Sequence, residues 1–220
     1  MIQSGIFDSS YMDIKKLGNS VLIFLIKRIL EIVGISISLL GVLLFISLFS
    51  YSPSDPNFIF PDNTEIKNFL GFRGSYTSDL FFQSFGLISY LIPVTYIFTG
   101  INIFRKKEIF ILVENSFFII IYTLFGSLFF SLYYQDTFFL YINGNGGFIG
   151  NFLNGDTLKE QIYLYENIFY YVFIFAILLF FLLSINFKPK ELIQNIKNIT
   201  RLFSKNQRNY TNKNEIINEY

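Results

Sequence analysis

Few side chains in this sequence could take part in chemistry, and the most unusual of them is Glu114. It is the one acidic residue clearly inside a long apolar run, five positions after Ile109 and near the predicted cytoplasmic side. A charge at the bilayer centre costs about 2.5–3.5 kcal/mol on insertion scales, so such a residue is a candidate ion or proton site. Lys107 precedes it by seven positions on the same predicted helical face. Glu114 is therefore either a transport residue or one half of a structural ion pair with Lys107.

The remaining composition excludes most catalytic chemistry. The chain has no Cys and no His, so it has no thiolate zinc site, no thiol nucleophile and no imidazole base. The segment 144–150 is rich in glycine, but no Gly-Lys-Ser/Thr follows it, which excludes a phosphate-binding loop of the Walker type. Paired carboxylates inside an apolar run are also absent. We predict no catalytic residue, no cofactor and no metal.

Four apolar runs must position these residues. They are 29–50, 80–104, 109–133 and 164–187, and the charged residues lie almost entirely between them. A helix rises 1.5 Å per residue, so each run can cross a hydrocarbon core about 30 Å thick. The sequence therefore predicts an all-α membrane protein with four transmembrane helices.

Basic residues predict the orientation of the chain. Most of the 17 Lys and Arg residues lie before the first run, in the turn at Arg105 or after the last run. Because cytoplasmic segments carry the excess of Lys and Arg, both termini are predicted to be cytoplasmic. The domain organisation is then a cytoplasmic segment 1–28, a membrane domain 29–187 with extracytoplasmic loops 51–79 and 134–163, and a basic tail 188–220.

Two shorter segments add to this plan. The apolar hexamer Val21–Ile26 is too short to span, so it either extends the first helix inward or lies on the membrane surface. After Pro189, apolar residues recur at helical spacing with Lys and Arg beside them. That pattern predicts a basic amphipathic helix on the inner leaflet.

Small residues and prolines predict the packing of the spans. Gly34, Ser38 and Gly41 recur on one face of the first helix, which would let a neighbouring helix approach closely. Pro93 lies in the middle of the second run, where it should kink the helix.

The two outer loops have their own signals. The segment that contains Pro53, Asp55 and Pro56 predicts a rigid turn that ends the first helix and holds Asp55 at the outer surface. Gly146, Gly147 and Gly150 shape the second loop, and a short surface helix over Phe148–Leu153 is expected after the first two of them.

Several segments resemble one family of membrane proteins. The most specific is Ser-Tyr-Ser-Pro-Ser-Asp-Pro at 50–56, which resembles the end of the first membrane helix in the FtsK/SpoIIIE family of bacterial DNA translocases. Asn-Phe-Leu-Gly at 68–71 with Gly74, the residues from Asp79 to Pro93, and the glycine segment 146–150 are similar to that family in the same order. The resemblance covers about residues 25–187.

The resemblance implies a function. It implies a non-catalytic four-helix domain that anchors a translocase in the bacterial inner membrane at the division septum, with a role in cell division and chromosome segregation. The implied partners are the lipid bilayer, other membrane proteins of the division machinery and further copies of the chain. The ATPase motor of the family has no counterpart in these residues, and direct binding of nucleic acid is not expected. The alternative is a small inner-membrane transporter or channel subunit that uses Glu114.

Overall fold

The computed structural model describes residues 3–56, 65–135, 140 and 142–187, and in these ranges every regular element is a helix. Seven α-helices are present: α1 (Gln3–Phe49), α2 (Gly71–Phe85), α3 (Leu91–Lys106), α4 (Phe110–Tyr133), α5 (Gly147–Leu153), α6 (Asp156–Leu164) and α7 (Glu166–Ser184). A 3₁₀-helix, Gly86–Tyr90, joins α2 to α3.

Within the described ranges, four helical stretches are long and apolar enough to cross a membrane: Gly18–Phe49, Gly71–Lys106, Phe110–Tyr133 and Glu166–Ser184. Lipid offers the backbone no hydrogen-bond partner, so a chain of this composition satisfies its own N–H and C=O groups within helices. The all-α fold with four membrane-spanning helices is confirmed. The predicted amphipathic helix after Pro189 lies outside the described residues.

The second predicted span, 80–104, is not one continuous helix. Gly86 ends α2 with φ +72°, a backbone conformation that favours glycine, and the five-residue 3₁₀-helix then leads into α3. Together the 3₁₀-helix and α3 measure about 34 Å, which matches the hydrocarbon core. The stretch that can make the second crossing, Gly71–Lys106, therefore changes from α to 3₁₀ geometry at Gly86.

Helix α2 packs against α1 near the end of the bundle where α1 ends. Near its start, the Ser47 hydroxyl donates to the Gly74 carbonyl at 2.7 Å. Just beyond its other end, the Tyr90 hydroxyl lies 3.5 Å from the Leu48 carbonyl. The start of α2 and the end of the 3₁₀-helix therefore both contact the last turn of α1. The predicted loop 51–79 accordingly contains helix from Gly71 onward.

Pro93 does not cause the break in this stretch. It lies in the first turn of α3, directly after the 3₁₀-helix, whereas α2 already ends at Gly86. The predicted kink at Pro93 stays a prediction. A hydrogen bond links the two sides of the break, because the Ser89 hydroxyl of the 3₁₀-helix donates to the Phe81 carbonyl of α2 at 2.9 Å.

Helix α1 is longer than its predicted span. It runs without interruption from Gln3 to Phe49, so the hexamer Val21–Ile26 extends the first helix. The hexamer side chains are about half exposed and point to all sides of the helix. In the second loop, the predicted helix over Phe148–Leu153 is present as α5.

The core lies between α3, α4 and α7 and is rich in aromatic rings. Phe125 stacks on Phe180 with ring centroids 6.1 Å apart, and Tyr122 meets Phe181 edge to face at 5.9 Å. Both arrangements are favourable for rings. The outward side chains are also apolar, as Phe110 and Phe175 show at 80% and 66% exposure. A surface of this kind suits hydrocarbon and not water.

Candidate functional site

The seam between α1 and α3 contains the first group of predicted site residues. A Cβ on Gly34 would lie 2.7 Å from the Gly100 carbonyl oxygen, and one on Gly41 would lie 2.9 Å from the Ile97 nitrogen. The Ser38 hydroxyl donates to the Ile97 carbonyl at 2.8 Å. The structure therefore places Gly34, Ser38 and Gly41 together on one face of α1. The two backbones approach this closely because none of these positions carries a large side chain.

Asp55 lies in the turn after α1, and its side chain is buried. Its exposure is 5%, and its two carboxylate oxygens accept the backbone N–H groups of Lys67 (3.0 Å) and Asn68 (2.8 Å). Hydrogen bonds to a charged acceptor are among the strong ones. Asp55 therefore ties the residues after α1 to the segment before α2.

The two neighbouring prolines differ in their surroundings. Pro56 is buried, and its carbonyl accepts the Ser75 hydroxyl of α2 at 2.6 Å. Pro53 is exposed and lies in the turn after α1. Pro56 therefore belongs to the contact between loop and helix, whereas Pro53 lies at its edge.

Asn68 is the centre of the same contact, although the sequence did not mark it as a site residue. Its exposure is 4%, and its amide nitrogen donates to the Ser47 carbonyl at 2.9 Å. Its side-chain oxygen accepts the Leu70 N–H at 3.1 Å. A Cβ on Gly74 would overlap that oxygen, so the glycine makes room for the amide. We call Ser47, Asp55, Asn68, Gly74 and Ser75 the Asp55 cluster.

Tyr51 adds a further link beside this cluster. Its hydroxyl donates to the Asp79 carboxylate of α2 at 3.3 Å. Burial raises the pKa of the Tyr51 hydroxyl, and the negative charge of Asp79 raises it further. The hydroxyl therefore keeps its proton, and remains a donor, throughout the physiological pH range.

The second loop meets the bundle where α2 breaks. Cβ atoms on Gly146 and Gly150 would clash with the Ser127 carbonyl of α4, and one on Gly147 would lie 2.5 Å from the Gly86 nitrogen. Gly147 also has φ +64°. The three glycines therefore allow α5 to pack directly against α4 and the break.

Asn145 completes this second contact. Its backbone carbonyl accepts the Leu87 N–H at 2.9 Å, just after the break. Its side-chain amide donates to the Tyr134 carbonyl at the end of α4. Helices α2 and α5 and the described loop residues beside them therefore form one connected layer at the end of the bundle where α1 ends, which we call the Asp55 end.

The opposite end of the bundle, which we call the Lys107 end, is held by charges. Glu31 of α1 accepts from Arg28 at 2.6 Å and from Lys107. Lys107 follows α3 in the left-handed conformation (φ 60°), so it is not part of α4. The predicted pair of Lys107 with Glu114 is therefore wrong, because the helical spacing does not continue across the turn. Glu31 had no predicted role.

Glu114 itself lies on the outward face of α4. It is exposed, and its neighbours Phe110, Val113 and Phe117 are 80%, 64% and 60% exposed. It lies four residues after the start of α4, or about 6 Å along the helix, and the adjacent Asn115 contacts Thr99 of α3. Both ion pairs within the described ranges use Glu31.

Polar side chains inside the bundle form a network that the sequence did not reveal. Thr95 of α3 lies within hydrogen-bond distance of Tyr122 of α4 (3.1 Å) and of Ser184 of α7 (2.9 Å). One turn along α3, Asn115 donates to Thr99 at 2.7 Å. These five side chains are fully buried, and they bond within two groups, one of three side chains around Thr95 and one pair. Such bonds hold membrane helices together rather than line a path.

The described residues contain no group of acidic side chains that could hold a metal ion. In those ranges the buried polar groups of the two ends and the interior are engaged mainly with backbone or with each other. This arrangement of polar groups is therefore suited to a rigid domain that binds another molecule.

Comparison with known proteins agrees with this arrangement. The family model for the 4TM region of DNA translocase FtsK/SpoIIIE matches residues 26–196. The chain is 32% identical over 84 residues to the DNA translocase FtsK of Rickettsia prowazekii (strain Madrid E), covering 37% of this chain and 11% of the relative. It is 28% identical over 88 residues to that of Azospirillum brasilense, covering 39% and 14%.

The third relative, the DNA translocase FtsK of Rickettsia bellii (strain RML369-C), is 30% identical over 77 residues, covering 35% of this chain and 10% of the relative. The matches thus cover only 10–14% of the length of these relatives. No solved structure matches the chain. Because the family model matches most of the residues and the four predicted crossings are present, this chain belongs to the FtsK/SpoIIIE family and represents its four-helix membrane region.

Proposed function

We propose that this chain is the membrane anchor and assembly domain of an FtsK-like DNA translocase, acting at the division septum in cell division and chromosome segregation. The observation that carries the proposal is the Asp55 cluster. The segment most similar to the family folds back onto the bundle and is buried there by hydrogen bonds of Asp55 and Asn68. A loop held in this way presents a fixed surface to a partner protein.

In this proposal both termini are cytoplasmic and the Asp55 end faces outward. The positive-inside rule supports that orientation, because Arg105, Lys106 and Lys107 lie together at the opposite end. A motor attached after α7 would then lie on the same side as the chromosome. The layer of α2, α5 and the loops would be the surface available to extracytoplasmic parts of other division proteins.

The outward face of α4 is the second proposed contact surface. A carboxylate in lipid is costly, so Glu114 is better accommodated against a cationic or hydrogen-bonding group of a neighbouring membrane helix. Phe110, Val113 and Phe117 supply an apolar surface beside it. The neighbour would be another division protein or a second copy of the chain. This placement does not favour the transporter alternative, in which Glu114 would line an internal path.

The test is the position of the protein in dividing cells. We expect Asp55→Ala/Pro56→Ala to lose enrichment at the septum and to fail to complement loss of the native gene, because the loop surface is no longer held. Pro53→Ala, at the exposed edge of the same turn, is the control and should keep both. Septal enrichment and complementation that persist in the double variant would contradict the proposal.

Glu114→Gln tests the outward face of α4 independently of the surface at the Asp55 end. It should leave the septal position intact while weakening the crosslinking of α4 to a neighbouring membrane protein. If crosslinking is unchanged, the α4 face is not a contact surface. If purified protein in liposomes conducts ions and Glu114→Ala abolishes the flux, the transporter function replaces the anchor function.

A further inference from the structure

An open groove lies between α1 and α2 at the Asp55 end. Its volume is about 560 Å³, which is within the range of about 300–1,000 Å³ that is typical of ligand sites. Its walls are formed mainly by Leu40, Leu43 and Leu44 of α1 and by Leu70 and Phe81 on the α2 side. Helix α2 forms the wall opposite α1. The groove is open to the outside of the bundle, and Leu40 and Leu43 in its wall are 64% and 39% exposed.

Arg73 is the one charged residue of the groove lining. The other polar side chains there are already engaged, since Ser47 donates to the Gly74 carbonyl and Thr77 to the Arg73 carbonyl. Arg73 is exposed, and the ion pairs of the described residues both lie at the Lys107 end. Its guanidinium is therefore available to a ligand.

The positions of Arg73 and of the leucines along α1 match those of the phosphate and the acyl chain in a lipid. Arg73 precedes Gly74, which contacts α1 at Ser47. Leu40 lies seven residues before Ser47, or about 10 Å deeper along α1. The groove is thus apolar in the membrane and cationic at its edge. A guanidinium at this level can bind a phosphate through paired N–H groups.

We propose that this groove binds an anionic phospholipid, with one acyl chain along Leu40–Leu44 and the phosphate on Arg73. A membrane helix is a poorer occupant, because it is about 10–12 Å wide and contacts its neighbours over many turns. The groove follows α1 for only two turns. The binding of one lipid here would fix α2 against α1 beside the Asp55 cluster.

The chain contains no Trp, which permits a direct test. Phe81→Trp places a single indole fluorophore in the groove wall. The full chain is reconstituted in nanodiscs of phosphatidylcholine with increasing phosphatidylglycerol, and in separate samples one lipid or the other carries brominated, quenching acyl chains. Because one added cation contact favours the anionic lipid, we expect phosphatidylglycerol to quench this fluorophore with a preference of roughly fivefold over phosphatidylcholine.

The measured quantity is the ratio of the two lipid concentrations that give equal quenching of the Phe81→Trp variant. We expect Arg73→Gln to bring that ratio close to one, while quenching by brominated phosphatidylcholine persists because the apolar walls remain. Lys67→Gln is the matched control: it removes an exposed cation close to the same end of the bundle, but it does not line the groove. The control should keep the preference for phosphatidylglycerol.

A second variant tests the groove itself. Thr77→Phe fills the space between α1 and α2, so quenching by both brominated lipids should fall, while helix content and elution volume show that the chain is still folded. Three results would overturn the proposal: equal quenching by the two lipids before Arg73 is changed, an equal loss of preference in Lys67→Gln, or a fluorophore that no brominated lipid quenches. The last of these would mean that the groove is closed or is occupied by protein.

Discussion

The two ends of the helix bundle are held together by different kinds of interaction. At the Asp55 end, buried side chains bond to the backbone of a distant segment, as Asp55 and Asn68 do. At the Lys107 end, Glu31 is held by two cations whose side chains are 32% and 58% exposed. Loss of a buried hydrogen bond lowers the stability of the fold strongly, because it leaves a polar group unpaired away from water. Exposed ion pairs contribute little and are screened by salt.

This difference explains how the loops are held. A loop lacks the regular hydrogen bonds of a helix, so its backbone needs other partners wherever it is buried. The Asp55 cluster supplies them with side chains from α1, α2 and the loop. The Lys107 end has a tight turn between α3 and α4 and needs only one link to α1. We therefore expect substitutions to have unequal effects at the two ends.

The largest effect is expected for Asp55→Ala. It leaves the partly buried N–H of Lys67 and the buried N–H of Asn68 without their charged acceptor, and a bond of this type contributes about 1.5–3 kcal/mol. We expect a loss of about 3 kcal/mol in the free energy of unfolding, measured by denaturant titration in detergent micelles. Pro53→Ala is the control and should change it by less than about 0.5 kcal/mol. A loss below about 1 kcal/mol would mean that water replaces the carboxylate.

The next effect in size is expected at the seam between the two ends. In Gly34→Leu, the new side chain meets the Gly100 carbonyl and the Phe104 backbone, neither of which can rotate away. Overpacking of this kind costs typically about 1–3 kcal/mol. Gly18→Leu on the same helix is the matched control, because nothing lies within 4 Å of a Cβ at that position. Equal unfolding free energies for the two variants would show that α1 and α3 do not pack through Gly34.

How much of this was predictable from the sequence depends on the range of the interaction. The four crossings follow from local length and hydropathy, and Gly34, Ser38 and Gly41 share a face because helical spacing is local. The course of α2 does not follow from its own residues. It depends on the contact of Ser47 with Gly74 and on the left-handed backbone of Gly86.

The partner of Glu31 was beyond prediction for a similar reason. Lys107 is 76 positions away in the sequence, and only the packing of α1 on α3 brings the two together. The spacing from Lys107 to Glu114 was misleading, because Lys107 caps α3 before α4 begins. Asn68 was part of a recognisable segment, but its burial depends on the space left by Gly74.

A smaller effect on the free energy of unfolding is expected for the side chains inside the bundle, between its two ends. Tyr122→Phe removes the hydroxyl that faces Thr95 but keeps the ring packing against Phe181. Thr95 keeps Ser184 as a partner. Hydrogen bonds between membrane helices average about 0.6 kcal/mol, so we expect a loss of that order in the same unfolding measurement. A loss as large as that of Asp55→Ala would show that the interior network, not the Asp55 cluster, dominates stability.

The smallest effects are expected at the Lys107 end, where they should also depend on salt. Lys107→Gln leaves Glu31 with Arg28 as its remaining partner, and a partly exposed pair contributes about 0.2–1 kcal/mol. Arg28→Gln should cost less than Lys107→Gln, because Arg28 is the more exposed cation and lies on the same helix as Glu31. Raising the salt from 0.1 M to 1 M shortens the screening length from about 10 Å to about 3 Å, so the cost of Lys107→Gln should shrink, whereas that of Asp55→Ala should hardly change. Equal salt dependence of the two variants would contradict the view that buried hydrogen bonds hold the Asp55 end and exposed ion pairs hold the Lys107 end.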